Sequence, residues 1–233
     1  PDDYQRFNGY LGYSRGDALR GWSVVAMGSD GEWLASDQIP QRAVDEGLVD
    51  RYGILDTGPR GATGRYSLSG EYHRGSDTSL TSVSAYLIRN DFNLISNFTY
   101  FLDDPVNGDQ FEQQDERWIS GLSADHRWSG HLGEAHASAA VGIDLRWDNI
   151  ANGLYRTTDL VRTFTTRQDD ISQLGGGIWG ESWIQFSPAL RLNIGARADY
   201  YRAEVDAYRE PNSGTADDWM LNPKFSLIYR PWK

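Results

Sequence analysis

Two kinds of connection alternate along this chain of 233 residues. Short turns and longer polar connections follow one another in strict rotation between segments that have the character of β-strands. In an antiparallel meander, this rotation places every short turn at one end of the sheet and every long loop at the other, as in outer-membrane β-barrels. The predicted short turns are residues 14–17, 74–78, 129–134 and 187–189, and the predicted long connections are residues 28–64, 103–116, 148–170 and 209–218.

The alternation of apolar and polar residues is clearest between Ala135 and Asp148. The odd-numbered positions carry Ala, Val, Ile, Leu and Trp, whereas the even-numbered positions carry mainly His, Ser, Gly, Asp and Arg. Successive strand residues point to opposite faces, so one face of this strand is apolar. The segment from Leu190 to Asp199 divides in the same way. Further segments bring the prediction to about nine strands: 7–13, 19–27, 66–72, 80–101, 118–128, 174–186 and 225–229.

The composition decides which kind of membrane protein is possible. Hydrophobic residues make up 39% of the chain, and the mean hydropathy is -0.59. No apolar run approaches the roughly 18 residues that a membrane-spanning helix needs, so a helical membrane protein is excluded. A barrel strand needs only about 10 residues with every second one apolar. The predicted fold class is therefore all-β: an antiparallel, up-and-down transmembrane meander whose polar face lines a watery lumen, with short periplasmic turns and long extracellular loops.

The segment from Leu80 to Phe101 changes its apolar face along its length. The apolar set begins with Val83 and Leu87 and continues with Phe92 and Leu94, which have the opposite parity. This switch predicts either a β-bulge or an exit of the strand from the bilayer.

Aromatic residues at strand ends provide a second signal. Tyr and Trp prefer the interface between membrane and water, where the ring is half buried and the polar atom stays wet. Trp118 and Trp128 are ten residues apart on one face, which fits an apolar band about 25 Å tall crossed by a tilted strand. The predicted lipid-interface aromatics are Tyr13, Tyr72, Trp118, Trp128, Trp147, Phe186 and Tyr229.

Charged residues on the polar faces are the candidate functional residues of the lumen. Opposite charges on neighbouring strands can pair across the inner wall. The set could form wall salt bridges, hold an internal domain or contact a transported substrate. It comprises Arg65, Glu71, Arg117, Asp125, Arg127, Asp144, Arg146, Glu181, Arg191, Arg197 and Asp199.

Charge and motif content exclude several functions. The net charge is -11 and no basic stripe exists, which disfavours a nucleic-acid partner. Cysteine is absent, and the four histidines show no metal-ligand spacing, so no metal site or cofactor is predicted. No catalytic arrangement is evident, and we expect no enzymatic activity. Gly175 to Gly177 lacks the following helix of a phosphate cradle and indicates strand curvature or close backbone approach. Residues 40–50 predict a short loop helix.

The ends of the chain lead us to expect a piece of a longer protein. It begins at Pro1 without a leader segment, and it stops at Lys233 just after a strand. Nine strands is an odd number, whereas single-chain bacterial barrels have even counts.

Several segments resemble the β-barrel part of TonB-dependent outer-membrane receptors. The resemblance extends through residues 39–73, 94–128, 187–201 and 222–232, with the Gln- and Asp-rich stretch 108–117 and the Asn-Pro-Lys strand at Asn222 as the most family-like pieces. It implies a barrel of about 22 strands, closed by an N-terminal plug domain, in the outer membrane of a Gram-negative bacterium. Residues 1–233 would be part of that barrel, without the plug or the TonB-contacting box.

The same resemblance implies the function and the partners. The expected activity is uptake of a scarce ligand, such as a ferric siderophore, cobalamin or a similar chelate, energised through the TonB complex. The expected partners are outer-membrane lipid and lipopolysaccharide, the TonB complex through the absent N-terminal region, and a small-molecule or metal-chelate ligand. Two alternatives stay open: a passive porin-like barrel and a soluble all-β ligand-binding module. On the barrel interpretation, Arg at Val141 or Leu122 is expected to destabilise the wall, and Arg at lumen-side Gly142 to be tolerated.

Overall fold

The computed structural model describes residues 3–35 and 37–231. These residues form one antiparallel sheet of nine strands whose spatial order follows the order of the chain. The predicted all-β, up-and-down meander is thereby confirmed. The strands are β1 (Gln5–Gly16), β2 (Arg20–Leu34), β3 (Arg60–Ser76), β4 (Ser79–Ser96), β5 (Phe111–Leu132), β6 (Ala135–Thr158), β7 (Val161–Ser187), β8 (Leu190–Ala207) and β9 (Gly214–Tyr229), and the helices are α1 (Gln41–Asp45) and a 3₁₀ turn (Glu210–Asn212).

The strand register divides the sheet into two chemically different faces. Directly paired residues share a face, and a slip of one residue would exchange the faces. Val141 pairs with His126 on β5 and with Gly180 on β7, and the same face carries Leu122 and Ile178. We call this side the apolar face and the opposite side the polar face. In the described part of the chain, no helix has the length and apolar character needed to cross a membrane.

The predicted long connection at residues 148–170 is wrong. Strands β6 and β7 continue through this segment as a ribbon and meet at a turn formed by Asp159 and Leu160. On one side β5 pairs with β6 as far as Arg156, and on the other side β8 pairs with β7 only from Asp169 onward. Both turn residues have positive φ, 50° and 68°, which suits the tight hairpin turns that match the twist of paired strands. The part of the ribbon near this turn buries no apolar face, so its sequence is polar. A polar sequence without alternation is typical of a loop, and the continuous strand pair was therefore not predicted.

Strand β4 keeps its pairing unbroken through the point where its apolar pattern changes. No register shift occurs against β3 or β5, so the structure contains no bulge there. Arg89 lies on the same face as Leu87, whereas Phe92 and Leu94 lie on the polar face. The change therefore marks the level at which the apolar face gives way to charged residues.

Aromatic rings from neighbouring strands pack over glycines on the polar face. A Cβ atom on Gly121 would lie 2.4 Å from the Tyr86 ring, and one on Gly142 would lie 2.5 Å from the Trp179 ring. Covering glycine with a ring is a recognised way to stabilise a sheet. Gly142 is therefore packed, and the prediction that it tolerates Arg is wrong.

Gly195 is the position where a small change is expected to disturb the wall. Its Cβ would lie 2.8 Å from the Gly180 carbonyl oxygen and 3.0 Å from Glu181 Cβ, which are parts of the neighbouring strand that cannot move aside cheaply. We expect Gly195→Ala to lower the free energy of unfolding by about 1 to 3 kcal/mol through overpacking. Chemical denaturation of the full-length protein in detergent measures this.

The matched control for that experiment is Gly180→Ala on the opposite face. There the nearest atom, Val141 Cγ1, is 3.6 Å from the added Cβ, an ordinary contact. We expect no loss of stability and up to about 1 kcal/mol of gain from the less flexible unfolded chain. Equal effects of the two substitutions would contradict the assigned packing.

Candidate functional site

The register places all eleven charged candidate residues on the polar face. Examples are Asp125, which pairs with Gly142 across β5 and β6, and Asp144, which pairs with Gly177 across β6 and β7. The sequence pattern thus predicted their common face. It did not predict which of them meet.

The centre of the polar face is a network around Arg197 on β8. Its Nη1 lies 2.5 Å from Asp144 Oδ2 on β6, and its Nε lies 2.7 Å from Asp199 Oδ1 on its own strand. Ser123 Oγ donates to Asp144 at 2.7 Å, and Asn222 Nδ2 donates to Asp199 at 3.3 Å. The network joins side chains of four strands, β5, β6, β8 and β9, and pairs one arginine with two carboxylates.

Glycine lets this ion pair pass over the intervening strand. Asp144 and Asp199 lie opposite the two sides of Gly177 on β7, and a Cβ there would lie 2.3 Å from Arg197 Nη2. The last residue of the Gly175 to Gly177 run therefore provides the close approach that the glycine run indicated.

A second ion pair repeats this arrangement closer to the short turns. Lys224 Nζ on β9 lies 2.9 Å from Glu181 Oε2 on β7, and Gly195 on β8 lies between them. The ammonium group also lies 5.5 Å from the centre of the Trp183 ring. Two of the wall's ion pairs therefore reach across a strand that has no side chain at the crossing point.

Most of the other charged candidates pair along their own strand. Arg146 pairs with Asp148 at 3.0 Å, and Arg127 pairs with Asp125 at 3.2 Å. The expectation that opposite charges pair on directly neighbouring strands is therefore wrong for these residues. Residues two apart on a strand share a face, and a long arginine side chain folds back to reach the nearby carboxylate.

Three charged candidates have no carboxylate or cation partner in the part of the chain that the structure describes. Arg65 donates to Asn90 Oδ1 at 2.9 Å, and Arg191 donates to Gln185 Oε1 at 3.2 Å. Glu71 makes no ion pair with any described residue. Among the predicted charged residues of the polar face, these three are the ones without an ion-pair partner in the described part of the chain.

The long connections at the other end of the sheet are tied together by Asn97. We call residues 35–59 loop A and residues 97–110 loop B. The Asn97 backbone N–H donates to Asp37 at 2.6 Å, and its Nδ2 donates to Asp56 at 2.8 Å. Tyr100 Oη also donates to the Gln38 carbonyl at 2.7 Å. Loop A is therefore anchored on the start of loop B. Burial raises the pKa of Asp37, and the nearby Asp56 charge adds to this.

Loop B is in turn attached to the β6–β7 ribbon through Gln110. Thr157 Oγ1 and the Leu160 N–H donate to Gln110 Oε1 at 2.9 and 3.0 Å. Gln110 and Thr157 are both buried. Loop A, loop B and the ribbon form one connected rim at the long-loop end of the polar face. Sequence reasoning did not identify these residues, because uncharged amides in polar loops carry no distinctive pattern.

Asp109 organises the middle of loop B. Its carboxylate accepts the backbone N–H groups of Leu102, Asp103 and Asp104 at 2.8, 3.1 and 2.8 Å. Burial disfavours its charged form, but these hydrogen bonds and one from Thr99 outweigh burial and lower the pKa of Asp109. The anionic carboxylate therefore holds the loop.

This arrangement predicts an acid-sensitive loop. Because the pKa is lower in the folded state, the stabilisation is fully present above the ordinary aspartate value of 3.8 and is lost as pH falls through the lowered value. We expect Asp109→Asn to speed hydrogen exchange of the amides of residues 102–104 about tenfold at neutral pH, since hydrogen bonds to a charged group are lost.

Asp103→Asn is the control for this loop. It removes one negative charge from the same segment and leaves the three hydrogen bonds in place. Hydrogen exchange by mass spectrometry compares both variants with the unaltered protein. Equal protection in all three proteins would refute the proposed role of Asp109.

The aromatic candidates lie at the two edges of the apolar face. All seven are exposed, from 42% at Tyr72 to 66% at Tyr229. Phe186 lies at a register shift between β7 and β8 and has no direct partner. The structure adds aromatics that the candidate set omitted: Trp22 packs 5.2 Å from Tyr13, and further rings at the other edge are Tyr66, Tyr200 and Trp219. Strand alternation could have identified Trp22.

Above the upper aromatics, the apolar face becomes an ion-pair surface. Arg89 lies 2.6 Å from Glu116, and Arg162 binds Glu112 through two nitrogens at 2.5 and 2.7 Å. Trp118 stands at the boundary, with the Arg89 guanidinium 5.5 Å from its ring centre. The apolar part of this face is therefore a band bordered by aromatics, and the strands continue beyond it.

No metal centre is evident among the described residues. No group of three or more His, Asp or Glu side chains is placed to hold a metal ion there. His131 and His136 face each other across the β5–β6 turn with ring centres 4.2 Å apart, but no third donor joins them.

Known structures share this fold over nearly the whole chain. The ferric citrate transporter FecA in its unliganded form has a TM-score of 0.74 and 12% identity, covering 99% of this chain and 34% of that protein. The ferric-catecholate import receptor Fiu from E. coli K12, in an open form, has a TM-score of 0.72 and 11% identity, covering 100% and 45%. The copper transporter OprC has a TM-score of 0.65 and 16% identity, covering 96% and 34%. At these identities the similarity establishes the fold alone.

Sequence comparison identifies the family. No curated protein matches the chain by sequence. The chain spans between a third and a half of the length of the three solved proteins above. The family described as TonB dependent receptor-like, beta-barrel matches residues 1–233. Its members are outer-membrane transport receptors and not enzymes. This chain belongs to the TonB-dependent receptor β-barrel family.

Proposed function

We propose that this chain is part of the barrel wall of an outer-membrane receptor that takes up a small molecule or metal chelate with energy supplied through TonB. The observation that carries the proposal is the family match over residues 1–233, joined to a meander with one apolar and one polar face. In such a barrel, the apolar face meets lipid and the polar face meets the lumen.

The arrangement of the apolar face supports membrane insertion. Exposed side chains such as Val141, Ile143 and Leu145 form an apolar strip along β6. A soluble protein rarely leaves such an extended apolar face open to water, whereas a lipid bilayer covers it. The aromatic edges match the two interfaces of a bilayer.

The polar face supports a structural wall with a ligand-facing rim. Most of its charges are neutralised in pairs, as in the Arg197 network, so they strengthen the wall and leave few charges free to bind a substrate. The rim of loop A, loop B and the β6–β7 ribbon lies at the end where a ligand would enter from outside. We therefore place ligand contacts on the rim, with Arg65, Glu71 and Arg191 as further candidates on the wall.

The ligand class follows from the structural relatives. FecA is a ferric citrate transporter, Fiu is a ferric-catecholate import receptor, and OprC is a copper transporter. A ferric siderophore or a related metal chelate is accordingly the proposed cargo. The rim carboxylates of Asp37, Asp56 and Asp109 do not change that choice, because they already accept hydrogen bonds within the loops.

The test is growth and uptake in the native host with the complete receptor gene deleted. We expect loss of uptake of one compound from a panel of ferric citrate, ferric catecholates, copper and cobalamin, with the same loss in a strain that lacks TonB. Uptake that fails without the receptor but continues without TonB would instead establish a passive porin. Recovery of the complete protein in the soluble fraction would exclude both membrane functions.

A further inference from the structure

Three arginines lie together where the apolar face reaches the short turns of the first three strands. We call Arg15 on β1, Arg20 on β2 and Arg74 on β3 the arginine patch. All three are exposed. Arg20 is directly opposite Arg74, and Arg15 is directly opposite Trp22, which shares the apolar face with them. The patch therefore belongs to the face that meets lipid in the proposed barrel.

The arginine patch has no carboxylate partner in the described part of the chain. None of its three guanidinium groups lies within 4.0 Å of an Asp or Glu oxygen there. The carboxylate of Asp17, in the adjoining turn, accepts the backbone N–H groups of Leu19 and Arg20 at 2.8 and 2.9 Å. At the other end of the same face, Arg89 and Arg162 are both paired with glutamates.

The pairing of Arg20 with Arg74 is unfavourable without an external anion. Like charges placed directly opposite each other on neighbouring strands destabilise a sheet. The patch is also local: on β4 to β9, the described strand residues of this face near the short turns are Ser, Thr, Gly, His, Ala, Leu, Ile, Phe, Trp and Tyr, with no arginine among them. Three adjacent cations on one sector of the wall therefore require a specific explanation.

The neighbouring aromatics place the patch at the depth of lipid headgroups. Tyr13, Trp22 and Tyr72 are the next residues of the apolar face on the same three strands, and rings of this kind lie at the membrane interface. Each arginine lies two residues further toward the turns than the aromatic residue of its own strand. Their forked N–H donors match the oxygens of a phosphate group.

We propose that the arginine patch binds the phosphate of an anionic phospholipid in the leaflet next to the short turns. The inference rests on the proposed function, because it requires the barrel to lie in a membrane. In outer-membrane barrels the short turns face the periplasm, where the adjoining leaflet consists of phospholipid. Each arginine near an anionic surface contributes about a fivefold increase in binding, so three predict a marked preference.

The experiment uses the complete receptor in phosphatidylcholine nanodiscs with and without phosphatidylglycerol, and native mass spectrometry reports the lipids that stay bound. The test variant is Arg15→Gln, Arg20→Gln and Arg74→Gln together. The control combines Arg6→Gln, Arg42→Gln and Arg51→Gln, which removes the same charge from the polar face of β1, from α1 and from loop A.

We expect the unaltered receptor and the control to retain phosphatidylglycerol preferentially, and the test variant to lose at least about tenfold of that preference. Equal retention by the test and control variants would overturn the proposal. So would a receptor without any preference, or release of the lipid by an equal concentration of inorganic phosphate, which would indicate a simple anion site.

A separate measurement distinguishes failure of this inference from failure of the proposed function. Protease protection and heat modifiability in phosphatidylcholine alone report insertion without reference to lipid charge. Insertion without lipid preference overturns the arginine patch only. Failure to insert into either bilayer overturns the membrane receptor itself.

Discussion

Replacing Val141 with Arg is expected to lower the free energy of unfolding of the membrane-inserted receptor by about 2 to 4 kcal/mol. Val141 lies on the apolar face of β6 and is 48% exposed in the described chain. In the proposed barrel, lipid covers that exposed area, and a guanidinium group near the bilayer midplane loses its hydration. Leu122→Arg on the adjacent strand is expected to behave in the same way.

Ser82→Arg is the matched control for Val141→Arg. Ser82 is on the polar face and lies directly opposite Asp125, which in turn lies opposite Gly142, the neighbour of Val141. The control therefore places the same side chain at nearly the same depth, beside a carboxylate and away from lipid. We expect a change of less than about 1 kcal/mol. Gly142 itself is unsuitable because the Trp179 ring covers it.

Refolding of the complete receptor into lipid vesicles across a denaturant series measures both variants. A large loss for Val141→Arg together with a small one for Ser82→Arg would support the assigned faces. Equal losses, or a larger loss at Ser82, would show that the assignment of lipid to the apolar face is wrong.

Replacing Arg197 with Leu is the second change with a large expected effect. Arg197 pairs with Asp144 and with Asp199, whose side chain is only 6% exposed. Removing the arginine leaves a nearly buried carboxylate without its cation, which costs about 3 kcal/mol. Adding Asp199→Asn to the Leu variant is expected to restore part of the loss, because the buried charge is then removed as well.

Arg127→Leu serves as the control for Arg197→Leu. Arg127 also pairs with an aspartate two residues away on the polar face, but its side chain is 62% exposed. Exposed pairs contribute little, so we expect a loss below about 1 kcal/mol. Denaturant unfolding of the four proteins separates the outcomes. Similar losses at positions 127 and 197, or no recovery in the double variant, would contradict the importance of the network.

The fold was largely predictable because its main signal is local. Alternation in Ala135 to Asp148 follows from the two-residue repeat of a strand, and it assigned Val141 and Asp144 to opposite faces before any neighbour was known. The same reasoning failed for residues 148–170. There the strands leave the apolar band and the alternation of polarity disappears. Pairing with distant segments maintains the strands instead, between β6 and β7 throughout and between β5 and β6 as far as Arg156.

The site was less predictable because it depends on groups that are distant in sequence. Asn97 joins loop A to loop B through two aspartates, and Gln110 holds the ribbon, yet each is an ordinary polar residue within its own segment. Their importance arises from burial and from partners about 40 to 60 positions away. No local pattern carries that information.

The sequence by itself determined the meander, its two faces and the residue types of the wall, because all of these follow from the repeat of side chains along single strands. The receptor family was recognised separately, from the resemblance of whole segments. Only the tertiary structure decided which charges meet. Arg197 reaches Asp144, and Lys224 reaches Glu181, across glycines of an intervening strand. An ion pair of this kind depends on the register of three strands at once, and register across strands is a property of the folded sheet.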